Sequence, residues 1–381
     1  MRRLMLITAV VLTLGFAPTF APPATADPVR VDMSIMYRDL APYGRWVQRP
    51  VYGWVWAPNG VALNWRPYTY GHWAYTDDYG WVWVSNWEWG WAPFHYGRWT
   101  YDDDYGWVWV PGTVWAPAWV AWRYGDDWVG WAPMPPAAVW QPSGGFLVST
   151  AVIERHIRPS TWVFVRERDF VRPNLARYAQ IPARNVVIIN YTRNTTQYRF
   201  EQHRIINRGV DISRVEHVIG RPVARQRVRD ADSFRDWREH RTTSGALRLY
   251  RPQVIQAPSR AHPPAPAPVR QQPDQQQLRQ RADTQRRDLL QRQRLEQRQV
   301  EERYGRKLQQ QPPAATAERL RRQRQLETRE LQREYRRQDT LLQRRESRDR
   351  SSVGPTPSQQ KPKQHYRPRD RHNQPDGNKQ D

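Results

Sequence analysis

Three carboxylate clusters, Asp77-Asp78, Asp102-Asp103-Asp104 and Asp126-Asp127, are the groups in this sequence best suited to acid–base or metal chemistry. Two acids flanking a cleft at a set separation hydrolyse glycosides. Consecutive Asp residues can also gather calcium, although calcium loops alternate their ligands and place Gly after them. Here the clusters recur at equivalent positions of a repeated unit, which is the behaviour of a structural turn and not of an active-site pair. Asp side chains bond their own backbone, and the glycines of Asp78-Tyr79-Gly80 and Asp104-Tyr105-Gly106 tolerate positive φ. His72 and His95 lack the spacing of a zinc motif, and no phosphate-binding loop, nucleophile elbow or dinucleotide fingerprint occurs. Cysteine is absent, so thiolate metal sites and disulfides are excluded. The sequence therefore offers no catalytic, cofactor-binding or metal-binding residues, and the expectation is a protein that is not an enzyme and needs no cofactor.

The second kind of chemistry is stacking. Nineteen of the 21 Trp residues lie between positions 27 and 150. Large rings at strand spacing usually form a core, and few Leu or Ile compete for that role here. So many rings in so short a stretch also leave room for an exposed aromatic platform of the kind that binds ligands. Its candidate members are Trp73, Tyr75, Tyr79, Trp99, Tyr101 and Tyr105, whose faces could stack on sugar rings.

These residues must be positioned by a repeat. Trp65, Pro67, Tyr70, Trp73, Tyr79, Trp81 and Trp83 recur 26 residues later as Trp91, Pro93, Tyr96, Trp99, Tyr105, Trp107 and Trp109. A fixed period of this size marks an internal repeat. Degenerate copies lie at 43–58 and 119–133. Trp-x-Tyr and Trp-Val-Trp-Val alternate with period two around the Asp-rich turns, which predicts four β-hairpins. In Trp81-Val82-Trp83-Val84 both faces are apolar, so the strand must be covered on both sides.

The fold class expected is mainly β: tandem aromatic β-hairpin repeats (43–143), then a small mixed α/β unit (144–231) and a partly helical, largely disordered basic C-terminal arm. In the mixed unit, FLVSTAVIERHI and STWVFVRERDF lean towards β. Val186 to Tyr191 and Gln197 to Phe200 read as strands, and Asp211 as the N-cap of a short helix closing at Gly220. Asn194-Thr195-Thr196 matches a glycosylation sequon but reads as a turn. The unit is expected to carry a modest core of its own. Positions 255–271 form a Pro-rich linker. The Gln/Arg-rich stretch 272–349 has helical composition and i,i+4 pairs such as Glu318–Arg322. Its leucines hold no steady heptad, so the expectation is a solvated arm ordered by an anionic partner, not a coiled coil. A disordered tail, 350–381, follows.

Residues 1–26 have the organisation of a secretory signal. Arg2 and Arg3 precede a short apolar run, and Ala24-Thr25-Ala26 supplies a small-x-small cleavage site. The run is too short to span a bilayer. Export to the periplasm, cell envelope or exterior is therefore expected, with cleavage near Ala26. The net charge of +23 is uneven: positions 27–150 hold 7 Lys and Arg against 11 Asp and Glu, and positions 151–260 hold 22 against 10. Such a chain should attract anionic polymers or surfaces.

The stretches YGRWV (43–47), GWAPFHYGRW (90–99), YGWVWVPG (105–112), VWAPAWVAWRYG (114–125) and VGWAPMPP (129–136) are shared with a known type of protein. The likeness continues through ARNVVIINYT (183–192) and RIINRG (204–209). With these residues the chain resembles a family of exported bacterial proteins with Tyr-x-Trp-Gly-x-Trp-type repeats, of unknown function, over about residues 40–230. The resemblance implies export and supplies no activity or catalytic residues. GRWTYDDDYGW also resembles the aromatic choline- and glucan-binding repeats of cell-wall proteins, but the period and the WAP elements depart from them.

Two binding roles follow. In one, a non-enzymatic envelope protein holds an envelope polysaccharide or other anionic polymer or surface through its aromatic repeats and basic arm. In the other, the Trp repeats are only a core, and the basic arm tethers a protein partner or an anionic surface. A small-molecule substrate is not expected. Nucleic acid fits poorly, because the chain carries an export signal and its aromatic region is net acidic.

Overall fold

The computed structural model describes residues 30–141, 144–239, 242–243, 246–255 and 275–352. The expected signal segment and most of the expected linker and tail lie outside them. The chain opens with β1 (Arg30–Asp32) and α1 (Ser34–Leu40). Four antiparallel hairpins follow: β2–β3 (Gly44–Arg49, Gly53–Pro58), β4–β5 (Gly71–Thr76, Gly80–Ser85), β6–β7 (Arg98–Asp102, Gly106–Val110) and β8–β9 (Val120–Gly125, Trp128–Pro133). All four are where the repeat places them. Each puts one Trp opposite another across its two strands: Trp46 and Trp56, Trp73 and Trp83, Trp99 and Trp109, Trp122 and Trp131. Cross-strand aromatic pairs of this kind fix register and stabilise the ladder.

Between positions 140 and 207 lie β10 (Trp140–Gln141), β11 (Gly145–Phe146), α2 (Thr150–Arg155), β12 (Val163–Arg166), α3 (Asn185–Ile188), β13 (Arg193–Asn194), β14 (Tyr198–Glu201) and β15 (Arg204–Asn207). Next come α4 (Ile212–Ile219), β16 (Arg227–Asp230), α5 (Phe234–Glu239), β17 (Thr242–Thr243), β18 (Ala246–Leu249) and β19 (Gln253–Ile255). Two long helices close the described chain, α6 (Gln275–Gln309) and α7 (Ala314–Ser352).

The first and third hairpins join into one sheet, ordered β2-β3-β7-β6. The second is extended into β14-β15-β5-β4, and the fourth is flanked in β12-β9-β8-β13. Residues 144–231 therefore do not build a core of their own. Four of their strands, β12, β13, β14 and β15, complete the repeat sheets, and one apolar cluster runs from Met33 through the repeat Trp residues to Val254. Gly80 shows how tight the join is. It sits at φ +68°, and a Cβ there would meet the Asn207 carbonyl oxygen at 2.2 Å, where β15 meets β5.

The indole N–H groups tie this core together. Trp56 donates to Leu40 O (3.0 Å), Trp81 to Val210 O (2.8 Å), Trp109 to Tyr96 O (2.7 Å) and Trp131 to Tyr68 O (2.9 Å). A buried Trp thus supplies apolar area and satisfies a carbonyl that would otherwise be unpaired.

Two local expectations are corrected. Val186 to Tyr191 is α3 followed by a 3-10 turn and not a strand. Pro182 opens a helical turn just before it, and Asn185 Nδ2 donates to Pro159 O (2.9 Å) and Trp162 O (2.6 Å), which holds the segment helical despite its β-branched residues. The stretch from Thr150 is α2, capped by Ser149, whose hydroxyl accepts from Val152 N at 3.4 Å. By contrast β14 and α4 stand as read, with Asp211 accepting from Arg214 N (3.0 Å) and Gly220 left-handed at φ +69°.

The arm is helical as expected, but it is not a free solvated arm. α6 and α7 pair antiparallel and dock on the body. Val300, Tyr304, Leu320 and Leu331 cluster with Ala183, and Tyr304 donates to the buried Glu327 at 2.9 Å. Arg344 pairs with Asp104 (2.6 Å), Arg292 donates to Asn64 (2.6 Å) and Gln323 to Tyr191 (2.6 Å). An irregular leucine pattern fails as a heptad, yet polar partners buried in the seam complete the packing. No helix among the described residues is long and apolar enough to cross a membrane.

Candidate functional site

Four of the seven turn carboxylates are paired with arginines. Asp77 pairs with Arg225 (3.4 Å) and Asp78 with Arg204. Asp102 and Asp104 share Arg49 at 2.5 and 3.0 Å, and Asp102 Oδ1 also accepts from the backbone N of Asp104 (2.9 Å) and Tyr105 (3.1 Å). Asp126 and Asp127 have φ of 49° and 63°, the left-handed pair that a tight hairpin turn demands. These acids shape the turns, and Asp77, Asp78, Asp102 and Asp104 tie them to parts of the chain remote in sequence.

The six candidate rings have three fates. Trp73, Tyr79 and Trp99 are core residues, exposed by 3%, 5% and 2%. Trp73 is enclosed by Trp83, Trp122 and Trp131 at 5.1, 4.6 and 5.8 Å between centroids. Rings buried in this way have no face left for a ligand. Tyr101 and Tyr105 are half-buried beside the helical hairpin. The Arg158 guanidinium lies 5.9 Å from the Tyr101 ring, and those of Arg49 and Arg348 lie 5.5 and 4.4 Å from Tyr105. Burial pushes the Tyr101 hydroxyl up to about 12. Tyr75 alone reaches a large cleft.

That cleft has a volume of about 800 Å³ and lies where β4, β8, β13, β14 and the start of α4 converge. Its aromatic wall is Tyr75 and Tyr124, and its cations are Arg193, Arg199, Arg208 and Arg214. Tyr124 stands at the place in its hairpin that Tyr75 and Tyr101 hold in theirs, two residues after the paired Trp. Its hydroxyl donates to Glu167 Oε1 at 2.6 Å and receives the Nε–H of Arg214. Burial, with the Glu167 hydrogen bond, pushes it up to about 12. Tyr75 is held from behind by the Trp81 ring, edge-on at 5.1 Å, while Arg225 lies 5.9 Å from its centroid.

The charge in the cleft is unbalanced. Arg214 faces Glu167 at 3.6 Å and Arg199 faces Glu201 at 3.6 Å. Asp211 is committed to capping α4. Arg193 and Arg208 are exposed and make no ion pair among the described residues. Between them run Asn194, Thr195, Thr196 and Gln197. Asn194 Oδ1 accepts from Thr196 N (2.8 Å) and its Nδ2 donates to Glu154 (2.7 Å), so the sequon-like stretch is an Asx turn. Sequence reading missed Tyr124 and the four arginines. The available signals were the Trp-x-Tyr register of the fourth hairpin and the surplus of Arg after position 150.

Residues 37–138 match a family described as Family of unknown function (DUF6600). The match takes in all four hairpins and ends before the basic wall of the cleft. No curated protein and no solved structure matches the chain.

Proposed function

We propose that this chain is an exported, non-enzymatic cell-envelope protein that binds an acidic polysaccharide in the cleft between Tyr75 and Arg208. The reading rests on one observation: two arginines without carboxylate partners among the described residues, Arg193 and Arg208, line the same cleft as two tyrosine rings. Aromatic faces stack on pyranose rings, and guanidinium groups pair with uronate carboxylates or phosphates in a planar fork. The exposed Gln197 amide adds a hydrogen-bonding group suited to sugar hydroxyls. The repeats thus act as the rigid frame that presents Tyr75 and Tyr124, and not as an open stacking platform.

The test is equilibrium binding of oligogalacturonates to the full mature chain, with neutral malto-oligosaccharides as control. Arg193→Gln with Arg208→Gln should abolish binding and leave the thermal transition unchanged. Equal binding of charged and neutral sugars, or retention by the double variant, would reject the cleft as the site.

A scaffold role is favoured by a separate observation, the docking of the arginine-rich hairpin on the repeats through Arg344, Arg348 and Asp104. It predicts a chain that binds no saccharide and retains a protein partner through the arm.

A further inference from the structure

One face of α7 carries a row of exposed arginines. Arg321, Arg329, Arg336 and Arg350 are exposed, and none makes an ion pair among the described residues. At 100° per residue they fall in an arc of about 100°, with Asp339 on one edge and Arg322 on the other, together with positions 325, 332, 340, 343 and 347. Those five carry only amides and hydroxyls. The opposite face holds the buried Leu331, Leu341 and Leu342. Arginines at the edge of the arc or just beyond it behave differently: Arg322 pairs with Glu318 (2.9 Å), Arg333 with Glu330 (3.3 Å) and Arg344 with Asp104 (2.6 Å). Glu318, held by Arg322, bounds the stripe at its N-terminal end. Asp339 at the edge accepts from Gln293 of α6 at 3.5 Å. The result is a straight line of cations and hydrogen-bond donors about 44 Å long, from the 1.5 Å rise over Arg321 to Arg350.

We infer that this stripe is a docking line for a linear polyanion, an extended acidic polysaccharide lying along α7. Charge complementarity sets the sign of the partner. Its shape follows from the helix. A lipid surface is bound by a helix that presents an apolar face for insertion, and the apolar face of α7 is already buried. Cations spaced along a straight rod suit a partner that repeats its charge along its own length. The choice of a glycan rests on the proposed function, whereas the stripe shares no residue with the cleft.

Binding of polygalacturonate, of short oligogalacturonates and of phosphatidylglycerol vesicles to the full mature chain tests this. A fourfold variant, Arg321→Gln, Arg329→Gln, Arg336→Gln and Arg350→Gln, is compared with a charge-matched control on α6, Arg279→Gln, Arg281→Gln, Arg294→Gln and Arg298→Gln. All eight positions are exposed, so folding should survive in both. The stripe variant should lose affinity for the polymer on the order of tenfold at low salt, with short oligomers unaffected. The control should lose far less. Equal losses in the two variants would show that net charge alone governs binding and would overturn the stripe. Vesicle binding that matches the polymer and falls with the same four substitutions would overturn the linear partner. Loss of short-oligomer binding in the Arg193 and Arg208 variant reads the cleft separately, so either reading can fail alone.

Discussion

The guanidinium of Arg348 lies 4.4 Å from the centre of the Tyr105 ring and donates to the Asp104 carbonyl at 2.7 Å. This clasp joins the far end of α7 to the turn of the third hairpin, with Leu341 close over Gly106. A cation over a ring and a hydrogen bond to a carbonyl are together worth about 1–2 kcal/mol. Arg348→Ala should therefore loosen the end of α7 while leaving the repeats intact. Hydrogen exchange should show roughly tenfold faster exchange around positions 341–350 and unchanged protection in β4–β5.

Trp81 is fully buried and its indole donates to Val210 O across 129 residues of sequence. Trp81→Phe keeps most of the apolar volume and strands a buried carbonyl, at a cost of about 1–3 kcal/mol. Trp81→Ala should cost about 3–5 kcal/mol through the cavity it leaves. Urea denaturation followed by far-UV dichroism would rank the two.

The repeats and the Trp pairing were legible because strand alternation and Asp-x-Gly turns are local signals. So was α4, whose cap and closing glycine sit in sequence. What was hidden depends on partners remote in sequence. Trp73 and Trp99 look alike in any list of stacking candidates, and only the meeting of hairpins decides that both are interior. The helical segment at 185–188 is set by Trp162 and Pro159, which no window around it contains. Docking of α6 and α7 could not be read from leucine spacing, since Glu327, Tyr304 and Tyr335 carry much of that seam. The cleft gathers Arg193 and Arg208 onto the tyrosine wall through pairing of β13 with β8 and of β15 with β5.

Gly80 and Gly220 have nearly the same φ, +68° and +69°, but different surroundings. A Cβ at Gly220 meets nothing within 4 Å, whereas at Gly80 it meets a backbone oxygen. Gly220→Ala should cost only left-handed strain, about 1 kcal/mol. Gly80→Ala should cost clearly more and weaken the join of β15 to β5. Comparison of the two melting curves isolates the close approach.

Two buried groups give opposite pH dependences. Burial lowers His95 to about 4, and its Nδ1–H donates to Ala116 O at 3.0 Å. The unfolded chain binds this proton near 6.5, so the stability it contributes is present above that value and is lost as pH falls towards 4, on the order of 3 kcal/mol. Glu296, buried in the seam of the helical hairpin beside Arg292, Glu334, Arg66 and Tyr335, is pushed up to about 7, chiefly by burial. Its contribution is complete below about 4.5 and is lost as pH rises through 7, on the order of 3 kcal/mol. Body unfolding should therefore steepen below pH 6, while release of α6 and α7 should become easier between pH 5 and 7. Glu296→Gln should flatten only the second effect, which limited proteolysis of the hairpin across that range would reveal.

The most direct measurement is calorimetric titration of short oligogalacturonates into the full chain and into the Arg193→Gln, Arg208→Gln variant. Saturable binding by the first and none by the second, with neutral oligosaccharides silent in both, is the predicted result. Identical titrations of the two proteins would contradict the assignment of the cleft between Tyr75, Tyr124, Arg193 and Arg208 as a site for acidic sugars.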